Sequence, residues 1–259
     1  MKLLDLNQST PCATADDGAM NPPARKAVAQ TARSHVACSA CALREFCFAT
    51  AAPDTPAPWV ERRRLKAGET LFAKGAPQQA LFAVRAGFLK TCAVMPNGER
   101  RILAYHIMGD VLGLDALGSG THPTEAVALN GSEVCQITIE CAERLMVGRQ
   151  STANHMRGLL SEQIANAGDR MVALGALTAR QRVAGFLLDL ASRWSRRGYS
   201  PSEFDLCLTR KEIGSYLGLT FETVSRTLSY FGAQQWITVN GREIRICDRA
   251  ALQTQFTDA

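Results

Sequence analysis

The sequence predicts an α+β chain: an N-terminal β-roll of jelly-roll type, one long helix, and a C-terminal winged helix-turn-helix. Three observations carry that expectation. Between Glu69 and Ile139 six short apolar runs (TLFA, ALFAV, FLKTCAV, RILAY, EAVAL, EVCQITI) alternate with turn segments, among them Pro96-Asn97-Gly98, the pattern of an antiparallel roll. From Met156 onward, apolar residues recur every three or four positions, as on one face of a helix. Beyond Leu208 a capping sequence, a turn glycine and a hairpin sequence follow one another, the order of a winged helix-turn-helix.

Each segment has its own justification. Residues 1–35 are rich in Ala, Pro, Gln, Thr and Asp with few large apolar side chains, so they are expected to form a disordered tail. Residues 36–58 hold three cysteines and then the Pro-rich linker AAPDTPAP. The roll is expected over 59–150, the long helix over 151–177, and the winged helix-turn-helix over 178–259. The first residues meet Asp, Asn and Pro before any long apolar run forms, and no later stretch approaches a membrane span. A cytoplasmic protein with no membrane partner is therefore expected. Nine cysteines, an odd number, are poor disulfide material in a reducing compartment, where clustered thiols more often bind metal.

Three of those thiols, Cys38, Cys41 and Cys47, fall in C-x2-C-x5-C spacing. Structural zinc usually takes two separated C-x2-C pairs or a mixture of Cys and His. Here three thiols crowd one loop and a fourth must come from afar, which suits an iron–sulfur centre. Cys135, in EVCQITI, is the best candidate for the fourth. It shares an apolar face with Ile137 and Ile139, where a cysteine on its own would be core. Cys141, Cys92, Cys12, Cys207 and Cys247 are weaker candidates, and periodicity alone does not exclude Cys141.

On the long helix, Met156, Leu160, Ile164, Ala167, Met171 and Leu174 form one stripe. It is read as the seam of a homodimer, with packing on the chain's own roll as the alternative. In the C-terminal segment, Thr209-Arg210-Lys211-Glu212 has capping-box form and opens a helix through Tyr216; Gly218 makes the turn and Thr220 caps a second helix. Ile213, Leu217, Val224 and Leu228 are expected in its core, while Glu222, Ser225 and Arg226 share a polar face. WITV, Asn240-Gly241 and REIRI spell the wing. Arg226 can fork onto guanine, Glu222 can accept from cytosine N4, and Ser225 can serve either kind of base. Between Thr178 and Arg249 eleven Lys or Arg stand against seven acids, a balance that suits a polyanion.

The stretches CSACALREFC, HIMGDVLGLDALGSGTHP, EVCQI and LTRKEIGSYLGLTFETVSRTL closely resemble the oxygen-responsive FNR-type regulators of the CRP/FNR superfamily, from about Cys38 to the C-terminus. The resemblance implies one [4Fe-4S] cluster per subunit, held by Cys38, Cys41, Cys47 and Cys135. It implies base contacts by Glu222, Ser225 and Arg226 on an inverted repeat like TTGAT-N4-ATCAA. Thr209, Thr220 and Arg242 are assigned to the same DNA face. The hairpin of Val94, Gly98 and Glu99 matches a surface through which the family contacts RNA polymerase. An intact cluster would tie the cysteine arm to Cys135 and bias the long helix toward the paired state. Ala167 departs from the pattern, because the best-known member is acidic there, and losing that repulsion favours the dimer. The roll itself looks like a cyclic-nucleotide-binding one. Yet from Ile102 to Glu143 there is no Lys or Arg while six acids occur, so no cyclic nucleotide is expected to bind, since phosphate requires cations or a nest of amides.

Overall fold

A computed structural model describes residues 60–148 and 150–257. The arm bearing Cys38, Cys41 and Cys47, with the expected tail and linker, lies outside the described residues. The described chain divides into two compact units: 60–177 together with 207–223, and 178–206 together with 224–257.

The first unit is built on two four-stranded antiparallel sheets. One orders β1 (Val60–Leu65), β8 (Ser132–Thr138), β3 (Ala80–Ala86) and β6 (Val111–Leu112). The other orders β2 (Thr70–Phe72), β7 (Glu125–Ala128), β4 (Leu89–Val94) and β5 (Arg100–His106). Strand alternation sorts their side chains. Leu65, Phe72, Phe82, Val84, Leu89, Leu112, Ala126 and Val134 form one buried cluster drawn from both sheets. The opposite face of the first sheet, with Val60, Leu81, Ala83, Val111, Cys135 and Ile137, forms a second cluster. Covering that second face are α1 (Ile139–Gly148), through Cys141 and Ala142, and the start of α2 (Gln150–Ala176), through Met156.

The expected strand runs are present, with three differences. EVCQITI ends as a strand at Thr138, and Ile139 opens α1, a helix that the apolar run conceals. Val60–Leu65, with three consecutive arginines, is a strand: Arg62 and Arg64 meet Glu133 across the sheet, and Arg63 donates to Leu71 O at 3.1 Å. The third difference concerns α2. Met156 is 3% exposed in the roll's own core and Leu160 packs partly against it, whereas Ile164 and Met171 are 74% and 75% exposed. The single stripe therefore splits, its first turns packed on the chain's own roll and its later turns, with Ala167 and Leu174, exposed.

In the second unit α3 (Ala179–Arg196) starts at a capping box of Thr178 and Gln181 and packs on α6 (Arg249–Thr257). A three-stranded sheet orders β10 (Ile237–Asn240), β11 (Glu243–Ile246) and β9 (Glu203–Asp205). Arg180 lies 4.0 Å over the Tyr230 ring, and Phe231 and Trp236 pack with that ring.

Candidate nucleic-acid interface and thiol site

The reading segment begins at α4 (Arg210–Leu217). Thr209 Oγ1 accepts from Glu212 N at 3.2 Å, and the Glu212 carboxylate accepts from both Thr209 N and Thr209 Oγ1 at 2.8 Å. The capping box is therefore complete. Gly218 ends the helix with φ of 64°, in the left-handed region. Gly214 is as necessary: a Cβ there would lie 2.6 Å from Leu219 O, so only glycine lets the turn fold back on the helix. The next helix, α5 (Phe221–Ala233), is capped by Thr220, whose Oγ1 accepts from Thr223 N at 3.2 Å. The hydroxyls of Thr209 and Thr220 are thus engaged by their own helices.

Ile213, Leu217, Val224 and Leu228 are all buried, as expected of the core. Glu222 and Arg226 are exposed and Ser225 is half-buried. The wing differs slightly from its expected form: Asn240 pairs with Glu243, so Gly241 and Arg242 are the two loop residues and Arg242 stands exposed at the tip. At the other hairpin, Met95 N donates to Glu99 O and Gly98 N to Met95 O, which places Val94, Gly98 and Glu99 around a tight turn between β4 and β5. Met95, in that turn, is 44% exposed.

Cys135 sits on β8 opposite Arg62 of β1 and Ala83 of β3. It is 9% exposed, in the cluster that also contains Cys141 and Met156, with Leu159 and Leu160 packed against it. Two residues along β8, Glu133 is approached by Arg62, Arg64 and Arg85 at 3.7, 3.3 and 2.9 Å. Three cations against one carboxylate leave that edge net positive, and Arg62 Nε is buried with no hydrogen-bond partner. Positive charge beside a buried thiol suits a centre held by several thiolates, whose net charge is negative. Among the described residues no group of three His, Cys, Asp or Glu side chains converges to hold a metal.

The other described thiols have different surroundings. Burial raises the Cys141 thiol above its ordinary pKa. Burial likewise raises that of Cys92, which lies on β4 in the other sheet, against the opposing pull of Lys90. Cys207 accepts from Asn130 Nδ2 at 3.4 Å. Cys141 shares the buried cluster of Cys135.

Residues 62–148 match the cyclic nucleotide-binding domain family, and residues 181–255 match the Crp-like helix-turn-helix domain family. The chain is 38% identical over 221 residues to the transcriptional regulatory protein btr of Bordetella pertussis, covering 83% of this chain and 91% of that protein. It is 38% identical over 194 residues to the fumarate and nitrate reduction regulatory protein of Escherichia coli, covering 74% of this chain and 78% of that one. Among solved structures it is similar to FixK2 from Bradyrhizobium japonicum, at a TM-score of 0.71 and 29% identity, over 77% of this chain and 98% of that one.

Proposed function

Because this chain belongs to the CRP/FNR family of DNA-binding transcription regulators, and is not an enzyme, we propose that it is an oxygen-responsive regulator gated by an iron–sulfur cluster. Cys38, Cys41, Cys47 and Cys135 would hold one [4Fe-4S] cluster per subunit. When bound, such a cluster supplies an oxygen-labile crosslink between four thiolates. The observation that carries the reading is the shared core of Cys135 and Met156: the candidate ligand on β8 and the root of α2 are packed in one buried cluster.

From that packing the gating follows. Tying the arm to Cys135 orders the surface against which Met156, Leu159 and Leu160 rest, and so fixes where α2 leaves the roll. The exposed later turns, with Ile164, Ala167, Met171 and Leu174, then pair with a second copy across a two-fold axis. Two α5 helices are held about one DNA turn apart, as an inverted repeat like TTGAT-N4-ATCAA requires. Glu222, Ser225 and Arg226 read base edges, Arg242 of the wing contacts the backbone, and the 94–99 hairpin meets RNA polymerase to activate or repress genes of anaerobic metabolism. The roll is proposed to bind no cyclic nucleotide. Arg100 and Arg101, the last cations before the acidic 102–143 stretch, are ion-paired with Glu125 and Glu99.

Anaerobic purification with iron and sulfide analysis tests this directly. Cys38→Ser, Cys41→Ser, Cys47→Ser and Cys135→Ser should each abolish the cluster and anaerobic binding to the palindrome, while Cys92→Ser, Cys141→Ser and Cys207→Ser retain both. A full cluster in Cys135→Ser would move the fourth ligand to Cys141. A colourless preparation carrying zinc would replace the sensor with a stapled, constitutive binder, since zinc has no redox chemistry. For the reading face, Arg226→Ala should cost about 1–3 kcal/mol at one G·C pair and relax preference there, as measured by competition with base-substituted sites.

A further inference from the structure

One side chain of α2 joins three elements. Arg170 Nη2 donates to Ile102 O of β5 at 2.6 Å and to Tyr216 O of α4 at 2.9 Å, and its guanidinium carbon lies 4.1 Å from the centre of the Tyr216 ring. The N–H of the same residue, Ile102, donates to Ser215 Oγ of α4 at 3.1 Å. Tyr216 meets Tyr105 of β5 edge-on at 5.0 Å, and Lys90 Nζ on β4 pairs with Glu212 Oε1 at 2.7 Å. Burial lowers the guanidinium's pKa, and its Nε is enclosed without a hydrogen-bond partner. A cation kept in such a place is costly unless its geometry is used. The next residue, Met171, is 75% exposed on the proposed seam.

We propose that Arg170 is a positioning residue for DNA reading, which fixes the first helix of the helix-turn-helix against β5 and against the seam-bearing end of α2. This rests on the reading of α2 as a dimer seam, though not on the cluster. Pairing of two α2 helices sets the direction of each Arg170, and each Arg170 sets its α4. The recognition helix starts just beyond, after Gly218, so the separation of two recognition helices inherits the dimer geometry through this clamp. Chain continuity alone would transmit it poorly, because all of α3 and β9 intervenes between α2 and α4. The planar guanidinium suits the task, since its Nη2 donates to two carbonyls while its plane stacks on an aromatic ring, a stacking that a lysine ammonium lacks.

The test measures spacing discrimination. One added base pair between half-sites rotates them by about 35° and separates them by about 3.4 Å, so a rigidly set dimer must reject it. Full-length protein, purified anaerobically, is titrated with the N4 palindrome, an N5 palindrome and a single half-site. Arg170→Met should sediment as a dimer with wild-type iron content and wild-type half-site affinity. It should lose about tenfold or more on N4, the worth of one charged hydrogen bond, and discriminate little between N4 and N5. Arg170→Lys should not restore the discrimination. Tyr216→Leu removes the ring from the other end of the clamp, so it should give the same phenotype, and the double variant should be no worse than the worse single one. Unchanged spacing discrimination in Arg170→Met overturns the proposal, and if that variant fails to fold, unchanged discrimination in Tyr216→Leu overturns it. Loss of discrimination in the wild type itself would instead overturn the dimeric reading on which it rests.

Discussion

The two sheets of the roll are each covered by helix, but by different means. The face of β1-β8-β3-β6 receives α1 and the root of α2 through Cys141, Ala142 and Met156, a mainly apolar contact to which Gln163 adds one long hydrogen bond, Nε2 to Val111 O at 3.4 Å. The β4–β5 side of the other sheet receives α4 through Lys90–Glu212, the Ile102 peptide, Arg170 and the Tyr105–Tyr216 pair, nearly all directional. Apolar burial supplies free energy and tolerates small shifts. Polar contacts add modest net stability and specify geometry. The proposed sensing side is thus built for strength with some latitude, and the reading side for position.

The largest effect should come from the apolar side. Met156→Ala removes a buried side chain from the cluster around Cys135 and should cost about 2–5 kcal/mol in urea unfolding. Ile164→Ala, two turns further along the same stripe but exposed, should change the unfolding of the isolated subunit by less than about 0.5 kcal/mol. Its larger consequence belongs to assembly. Ile164→Glu places a charge against its own copy across the two-fold axis, where it must be desolvated. Anaerobic sedimentation should then report a monomer with its cluster intact, and a full dimer would place the seam elsewhere. Ala167→Asp should act in the same direction more gently.

That contrast between Met156 and Ile164 also marks how far the sequence could be read. Period 3.6 groups both residues on one face of α2, and nothing local says that the face changes partner midway. The split depends on where the roll ends beneath the helix, a tertiary fact. The strand runs, the Pro96-Asn97-Gly98 turn, the capping box and the α5 face were legible because each is a short-range pattern with its own physical cause. The strand Val60–Leu65 was not, because three arginines resemble a solvated segment until Glu133 is brought opposite. The short helix α1 hid behind the apolar Ile139, and Gly214 reads as an ordinary helix weakener until Leu219 O is found against it. Of the thiol site, Cys135 was legible as an apolar-face cysteine. The arginines beside it, and the Arg170 clamp, join residues far apart in sequence and leave no periodic trace.

On the directional side the effects should be smaller in stability and visible in geometry. Ser215→Ala removes the acceptor of the Ile102 N–H and should cost about 0.5–1.5 kcal/mol. Hydrogen exchange should then quicken at Ile102 and along α4 while the amides of β8 keep their protection. Equal quickening in β8 would show that the two sides unfold as one, and would break the distinction drawn between them.

The finest distinction lies in pH. Burial pushes the Glu212 carboxyl up. Hydrogen bonds from Lys90 and from the backbone and hydroxyl of Thr209 outweigh it, and the folded pKa lies below the ordinary carboxylate value. A depressed folded pKa means that the carboxylate's contribution is present above the unfolded pKa, about 4.3, and is lost as pH falls through the folded value. Wild-type stability should therefore decline as pH drops below about 4.3 more steeply than that of Glu212→Gln, which keeps the capping acceptor and has no charge to lose. Lys90→Met should also flatten that decline, because it removes one of the hydrogen bonds that hold the pKa down. Parallel acid unfolding of wild type and both variants decides the matter. Curves that superimpose below pH 4.3 would mean that Glu212 serves only as a cap, and that α4 is held to the roll by Arg170, Ser215 and Tyr216 without help from the Lys90 pair.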